Sequence, residues 1–583
     1  MTNRRQARRW SALVGCAAIL LCSVSLTGIS AARAAPLLSR PASDPSPSST
    51  PPNPNPTALP NPTLLSTGST GAPTFTTNQP PYGQAGTPPQ QEQPPVNTIP
   101  GPYPTPIAGG ASANSSIAAH SKRVDRKSSE QSLDHARPRV IQLAQYTSDA
   151  SGYGVEAGPT DNTIASDGTV NGTTYNGSAV GENASMVILF SSSSGTPLKS
   201  YGLCGVSGYP YCSDPEINYD RDTGNWIETY EVWNQSGNTV TQEELIVCAS
   251  KDSQYADGFS CWALGSTTSG SFDAPRIGYT TDKVILTVNF YSSTCPGVDV
   301  ECDLIFVLNK TQLYSLDGFH FTESQGVGYN YYVTSTPSYE QTILFESPDA
   351  YTTNAGTMVT HYITGPENSY SWATVGWTIA TISQEPLFAS QPGTSIPLYA
   401  DGSEVESSAL SGGLAWATLN DEPESTGCPG PQLCPFFIQF TVNGNVLPTG
   451  IDHYFAYSNP NGWSMYYTAL ATTIGNTSVI GVSDYSCNGT CAEYAGSEEY
   501  EVTPTAGFTF AGRQDGTTTM QPSNETIPDP PGPSVPVYTW GDINGCSYVN
   551  GTSPAQVVCA AAFAAGSASS PVPQQEVFLD EYS

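Results

Sequence analysis

Four aspartates in this 583-residue chain, Asp214, Asp273, Asp452 and Asp542, each stand just before a short run of alternating apolar and polar residues. Asp214 opens SDPEINYDRDTGNWIETYEVW and Asp273 opens FDAPRIGYTTDKVILTVNFY, two stretches with one strand-turn-strand pattern. If each aspartate starts the first strand of a repeated unit, the carboxylates gather where the units converge. Such a ring can bind a cation such as Ca²⁺ or line a ligand funnel. An Asp at a strand start also caps the preceding turn by accepting backbone N–H bonds, so a repeated structural role competes and no metal is assigned. Asp220, Asp222, Gly224 and Glu231 imitate part of a calcium loop, but Asn225 stands where that loop needs Gly and Trp226 begins a strand, so a plain hairpin turn is expected there.

Other chemistry is sparse. No Gly-x-Ser-x-Gly elbow is present, His320, His361 and His453 are scattered, and Arg221, Arg276 and Arg513 are the only arginines after residue 140. Two carboxylates converging in a channel would suffice to cleave a glycoside. Aromatic runs such as Tyr329 to Tyr332 and Trp463 to Tyr467 suit blade packing and also stacking on sugar rings.

The elements that would position these groups are short antiparallel strands. A four-stranded unit recurring about every 60 residues, with one face left bare until a neighbour covers it, is the pattern of a β-propeller. The fold expected is all-β, a propeller of about six four-stranded blades, with five or seven as variants. Further blades are read from YNYYVTSTPSYEQTILFES, from GLAWATLN with FFIQFTVNG, from IDHYFAYSNPNGWSMYYTALA, and from TWGDINGCSYVNGTSPAQVVCAAAF. The last is short of strands, and MVILFSSSSGTPLKSYG from Met186 is available to close it, which would remove exposed sheet edges.

Of 14 cysteines, Cys16 and Cys22 lie in an apolar leader. The rest fall into near pairs: Cys204 with Cys212, Cys248 with Cys261, Cys295 with Cys302, Cys428 with Cys434, Cys487 with Cys491, and Cys546 with Cys559. This suggests six local disulfides in an oxidising compartment. No pair has zinc-ligand companions. Arg4, Arg5, Arg8 and Arg9 before an apolar run and Ala32-Arg33-Ala34 read as a signal peptide over 1–34, so the protein is expected outside the cytoplasm, with no membrane insertion after cleavage. Residues 35–118 are Pro/Ser/Thr-rich and expected as a spacer without a fixed fold, 119–150 form a basic tether, and 151–583 the propeller.

Charge excludes some partners. After residue 140 only seven of the 19 Lys and Arg face 46 of the 51 Asp and Glu. Nucleic acid and anionic membranes are poor partners for that surface. The shortage of bases at ordinary acid density fits an acidic exterior, where few cations limit self-repulsion once carboxylates protonate.

Asp214-Pro215, Tyr219-Asp220, Thr223-Gly224, Trp226, Cys248-Ala249-Ser250, Asp273-Ala274-Pro275 and Trp540-Gly541-Asp542 together resemble a group of secreted bacterial β-propeller proteins of largely unassigned function. Thr539 and Ile543 depart from the Arg and the aromatic that the group's closing motif leads one to expect. The resemblance implies a fold and carries no catalytic assignment. The function read from the sequence is a secreted or surface-displayed, non-enzymatic binding propeller for a glycan or envelope polymer. The alternatives are a carbohydrate-active hydrolase or lyase using channel carboxylates, and a structural envelope component. Converging acids of raised pKa in a funnel would favour the enzyme. Oligomeric state is not legible.

Overall fold

The computed structural model describes residues 163–581 with short gaps, together with 63–69, 75–76, 139–146 and 155–156. The leader and most of the spacer and tether lie outside the described residues. Among the described residues, seven sheets of four or five strands carry the fold, beside small two- and three-stranded ones. Their innermost strands are β1 (Ile164–Ser166), β2 (Tyr211–Asp220), β3 (Ser271–Tyr279), β4 (Tyr331–Thr334), β5 (Val405–Ser411), β6 (Ser464–Thr472) and β7 (Gly545–Val549). Each touches the next, and β7 touches β1, so the seven enclose an axis in a propeller-like ring. From the innermost strand outward, consecutive strands of a sheet pair antiparallel, as from β2 through Asn225–Ser236 and Thr239–Ser250 to Phe259–Thr267.

The sequence builds such sheets because its strands are apolar on both faces, as in KVILTVNFY (Lys283–Tyr291). A sheet covered on both sides needs no polar face. Apolar clusters accordingly fill the spaces between neighbouring sheets. Val187 and Leu189 meet Trp226 and Tyr230 between the first two, and Ile227 and Trp262 meet Leu286 and Phe306 between the next two. Alanines do this work between the sixth and seventh, where Ala469 and Ala471 face Val557 and Ala561. The seventh and first sheets close by backbone approach: a Cβ on Gly545 would lie 2.7 Å from the Ile164 nitrogen, so only glycine fits.

Four disulfides are formed by the expected partners: Cys204 with Cys212, Cys248 with Cys261, Cys295 with Cys302, and Cys546 with Cys559. Cys434 and Cys487 are disulfide-bonded too, while Cys428 and Cys491 lie outside the described residues. Cys248 and Cys261 are direct cross-strand partners, as are Cys546 and Cys559. Cys204 and Cys212 instead tie the short helix Leu203–Ser207 to the start of β2, and Cys295 and Cys302 close the connection between Lys283–Tyr291 and Glu301–Asn309. These bonds fit an oxidising, extracytoplasmic compartment. Among the described residues no helix is long and apolar enough to cross a membrane.

Three expectations change. The Met186 segment does not close the C-terminal sheet; it is part of Glu182–Ser191 in the first sheet, between Val170–Ala179 and Pro197–Gly202. The strand that joins the chain ends is Arg139–Tyr146, from the span expected as a tether, which pairs with Ser570–Glu581. Residues Thr63–Ser69 and Phe75–Thr76, inside the span expected to lack a fold, add fifth strands to the outer edges of the third and second sheets. An outer edge offers unpaired N–H and C=O groups that an extended, proline-free stretch such as TLLSTGS satisfies.

Candidate active site

Three of the innermost strands, β2, β3 and β6, share a local distortion. Asp214, Ala274 and Tyr467 have positive φ (47°, 49° and 52°), and at each the pairing with the second strand of the sheet jumps register. These are β-bulges, which re-aim the residues that follow them. Three positions after each bulge residue, a backbone N–H turns towards the preceding sheet. Ile217 donates to Thr163 Oγ1, Ile277 to Glu216 Oε2 and Leu470 to Ser407 Oγ, all at 3.0 Å. One acceptor oxygen is enough for this joint, and hydroxyls serve in two of the three. Glu216 puts an ionisable group where a hydroxyl suffices.

Glu216 lines the cavity on the ring axis, to which all seven innermost strands or the residues beside them contribute. Its Oε2 takes the Ile277 N–H, whereas Oε1 makes no hydrogen bond among the described residues. Burial pushes its carboxyl up to about 7, against the Arg276 charge and the Ile277 N–H, which act to lower it. Arg276 lies over the ring of Tyr332, 5.7 Å from its centroid, and makes no ion pair among the described residues. The Tyr332 hydroxyl is pushed up to about 12, by burial and then by the Glu216 charge, so it stays a hydrogen-bond donor at any ordinary pH. The Glu216 carboxyl and the Tyr332 phenol therefore line one end of the channel, with the Arg276 charge acting on both from beside it. The cavity holds about 100 Å³, room for a few waters rather than a whole sugar ring, so a large ligand must rest at the mouth and send one edge inward.

The other end of the channel carries Arg221, stacked 4.5 Å over the ring of Tyr548. It sits in the turn after β2, where the sequence imitated a calcium loop. A lysine occupies that turn: Lys310 Nζ is 2.7 Å from Asp220 Oδ2 and 3.7 Å from Asp222 Oδ2, and the Gly224 N–H closes a hairpin on the Asp220 carbonyl.

The four aspartates do not form one ring. Asp214 and Asp273 are buried with Glu231 between the second and third sheets, each offering an oxygen within 4.8 Å of the others. They do not line the cavity. They also hold different places in the repeat: the bulge residue Asp214 matches Ala274, so Asp273 matches Ser213. Asp214 Oδ2 accepts from the Ala274 N–H at 3.4 Å, a structural joint from bulge to bulge. Three oxygens are about half of what Ca²⁺ takes. Asp452 is exposed, before the outermost strand of the fifth sheet (His453–Ala456), accepting from Thr441 Oγ1 at 2.6 Å. It is far from the axis because IDHYFA ends one sheet and SMYYTALA begins the next, a boundary that the sequence hides. Asp542 lies outside the described residues. Sequence reasoning missed Glu216 and Tyr332, because their place on the axis depends on the register of strands far apart in the chain; for Arg221 and Arg276 the rarity of arginine was the available signal.

No protein-family model matches the chain, nor does any curated protein. Among solved structures it is similar to a polysaccharide lyase, Uly1 (8% identity, 77% of this chain and 100% of that one, TM-score 0.39). It is also similar to the parainfluenza virus 5 hemagglutinin-neuraminidase ectodomain (10%, 76% and 85%, TM-score 0.36). A third is the α-L-arabinofuranosidase PaAbf62A from Podospora anserina, solved in complex with cellotriose (9%, 62% and 96%, TM-score 0.29). The expectation of a non-enzymatic binding propeller is corrected on the channel's own residues: Glu216, whose carboxyl burial pushes up to about 7, and the Tyr332 phenol line it, with the Arg276 charge acting on both.

Proposed function

We propose that the protein is a secreted, seven-bladed propeller acting as a carbohydrate-active hydrolase or lyase, with its reacting centre at the Glu216 end of the channel. The observation that carries this is Glu216: buried, its carboxyl pushed up to about 7, lining the cavity, with Oε2 held by the Ile277 N–H and Oε1 without a hydrogen bond among the described residues. A carboxyl so tuned gives and takes protons at neutral pH, which is what a general acid or base requires. The Tyr332 hydroxyl donates to negative charge developing on the substrate, and Arg276, which lies over the Tyr332 ring behind the cavity wall, adds its charge to that end.

The test is turnover of a polysaccharide panel by the secreted protein, read as reducing ends and as the ultraviolet absorbance of unsaturated sugars. The second signal appears only for a lyase. Glu216→Gln, checked for native fold by circular dichroism, is expected to lose about 10²-fold or more in kcat/KM. Unchanged turnover in that variant removes Glu216 from the mechanism.

A further inference from the structure

We propose that the end of the channel opposite Glu216 is an anion-binding subsite built on Arg221, and that the glycan this protein takes is acidic, bearing carboxylate or sulfate groups. The proposal rests on reading the channel as a glycan-processing site. Arg221 lines the cavity, and its guanidinium makes no ion pair and no hydrogen bond among the described residues; its contact is the face of Tyr548. This is unusual for an arginine flanked by two aspartates.

The reason lies behind the turn. Lys310, buried on the short helix Lys310–Ser315, draws Asp220 and Asp222 away from the channel. The Tyr314 hydroxyl donates to Asp220 Oδ2 at 2.9 Å and the Ser338 N–H to Asp222 Oδ2 at 3.3 Å. The backbone is fixed as well, since the Arg221 N–H donates to the Tyr279 hydroxyl at 3.2 Å. In a region with seven cations, one is used to occupy the two acids that would otherwise neutralise Arg221. What remains is a fixed, stacked guanidinium whose planar fork matches a carboxylate or sulfate. Five residues of extended strand, about 16 Å, separate it from Glu216, and since the channel between them has no room for a sugar ring, the acidic group is held at the far mouth by a part of the glycan outside the channel.

Calorimetry on the full-length secreted protein with polygalacturonate fragments, sulfated galactan fragments and neutral galactan fragments of equal length tests this. Acidic fragments are expected to bind about tenfold or more tighter than neutral ones, with a margin that shrinks as salt rises, and the two acidic arms tell carboxylate from sulfate. Arg221→Gln should remove most of the margin and Arg221→Lys only part of it. Lys310→Met, if natively folded, should reduce the margin by releasing Asp220 and Asp222 onto Arg221. Equal affinity for neutral and acidic fragments, a margin that survives Arg221→Gln, or no binding by any fragment overturns the subsite. Glu216→Gln separates the two readings: it should keep the preference and lose turnover, whereas turnover without acidic preference leaves the catalytic reading standing and removes this one.

Discussion

Glu216 and Asp214 stand two positions apart on one strand and do different work, a difference set by the bulge between them. Asp214 is in the left-handed region and gives its carboxylate to the next bulge. Asn accepts the same bond and tolerates that backbone, so Asp214→Asn is expected to cost under about 1 kcal/mol, and Asp214→Val about 2 kcal/mol or more, by denaturant unfolding. Loss of catalysis in Asp214→Asn at full stability would move the reacting centre into the Asp214–Glu231–Asp273 cluster. For Glu216 the informative quantity is the pH profile. If it acts as general acid, kcat/KM falls as pH rises through about 7; if it acts as base, activity is lost as pH falls through the same value. A profile flat from pH 5 to 9 would mean that no group near 7 serves the reaction.

At the scale of elements, sequence patterning revealed the strands and their local disulfides but not how they group into sheets. The hairpins Tyr211–Ser236 and Ser271–Tyr291 were legible because a two-residue period and turn residues are local signals. The boundary between His453–Ala456 and Ser464–Thr472 was not, since an outermost strand and the next innermost strand carry the same alternation. Nor was the partner of the C-terminal sheet, because pairing Arg139–Tyr146 with Ser570–Glu581 is a contact between chain ends. That strand completes a four-stranded sheet, whereas Thr63–Ser69 and Phe75–Thr76 extend sheets that already have four. Deleting residues 1–130 is therefore expected to shift the thermal midpoint by a few degrees at most. Deleting 1–150 removes Arg139–Tyr146, exposes the edge of Ser570–Glu581, and should lower the midpoint clearly and promote association through that edge. Equal midpoints for the two truncations would show that the strand adds nothing to the ring.

Over the whole molecule, the charge imbalance and the buried acids act in the same direction. Besides Glu216, Glu228 is buried in the second strand of the second sheet, and burial alone pushes its carboxyl up to about 8. Both groups bind a proton more tightly folded than unfolded, where the value is near 4.5. Their contribution is fully present below about 4.5 and is lost as pH rises through 7 and then 8. At about 1.4 kcal/mol per unit, the loss is on the order of several kcal/mol. Repulsion among 46 acids facing seven cations has the same sign. The thermal midpoint should therefore fall from pH 4.5 to pH 9. Glu228→Gln, which keeps the shape and discards the titration, should flatten that fall, matching wild type near pH 4.5 and exceeding it at pH 9. Separating the two sources needs salt: screening relieves surface repulsion but leaves a buried carboxyl nearly untouched, so the part of the fall that persists at 1 M salt and vanishes in Glu228→Gln belongs to the core. A midpoint that climbs from pH 4.5 to pH 8 would show that ion-paired acids outweigh both.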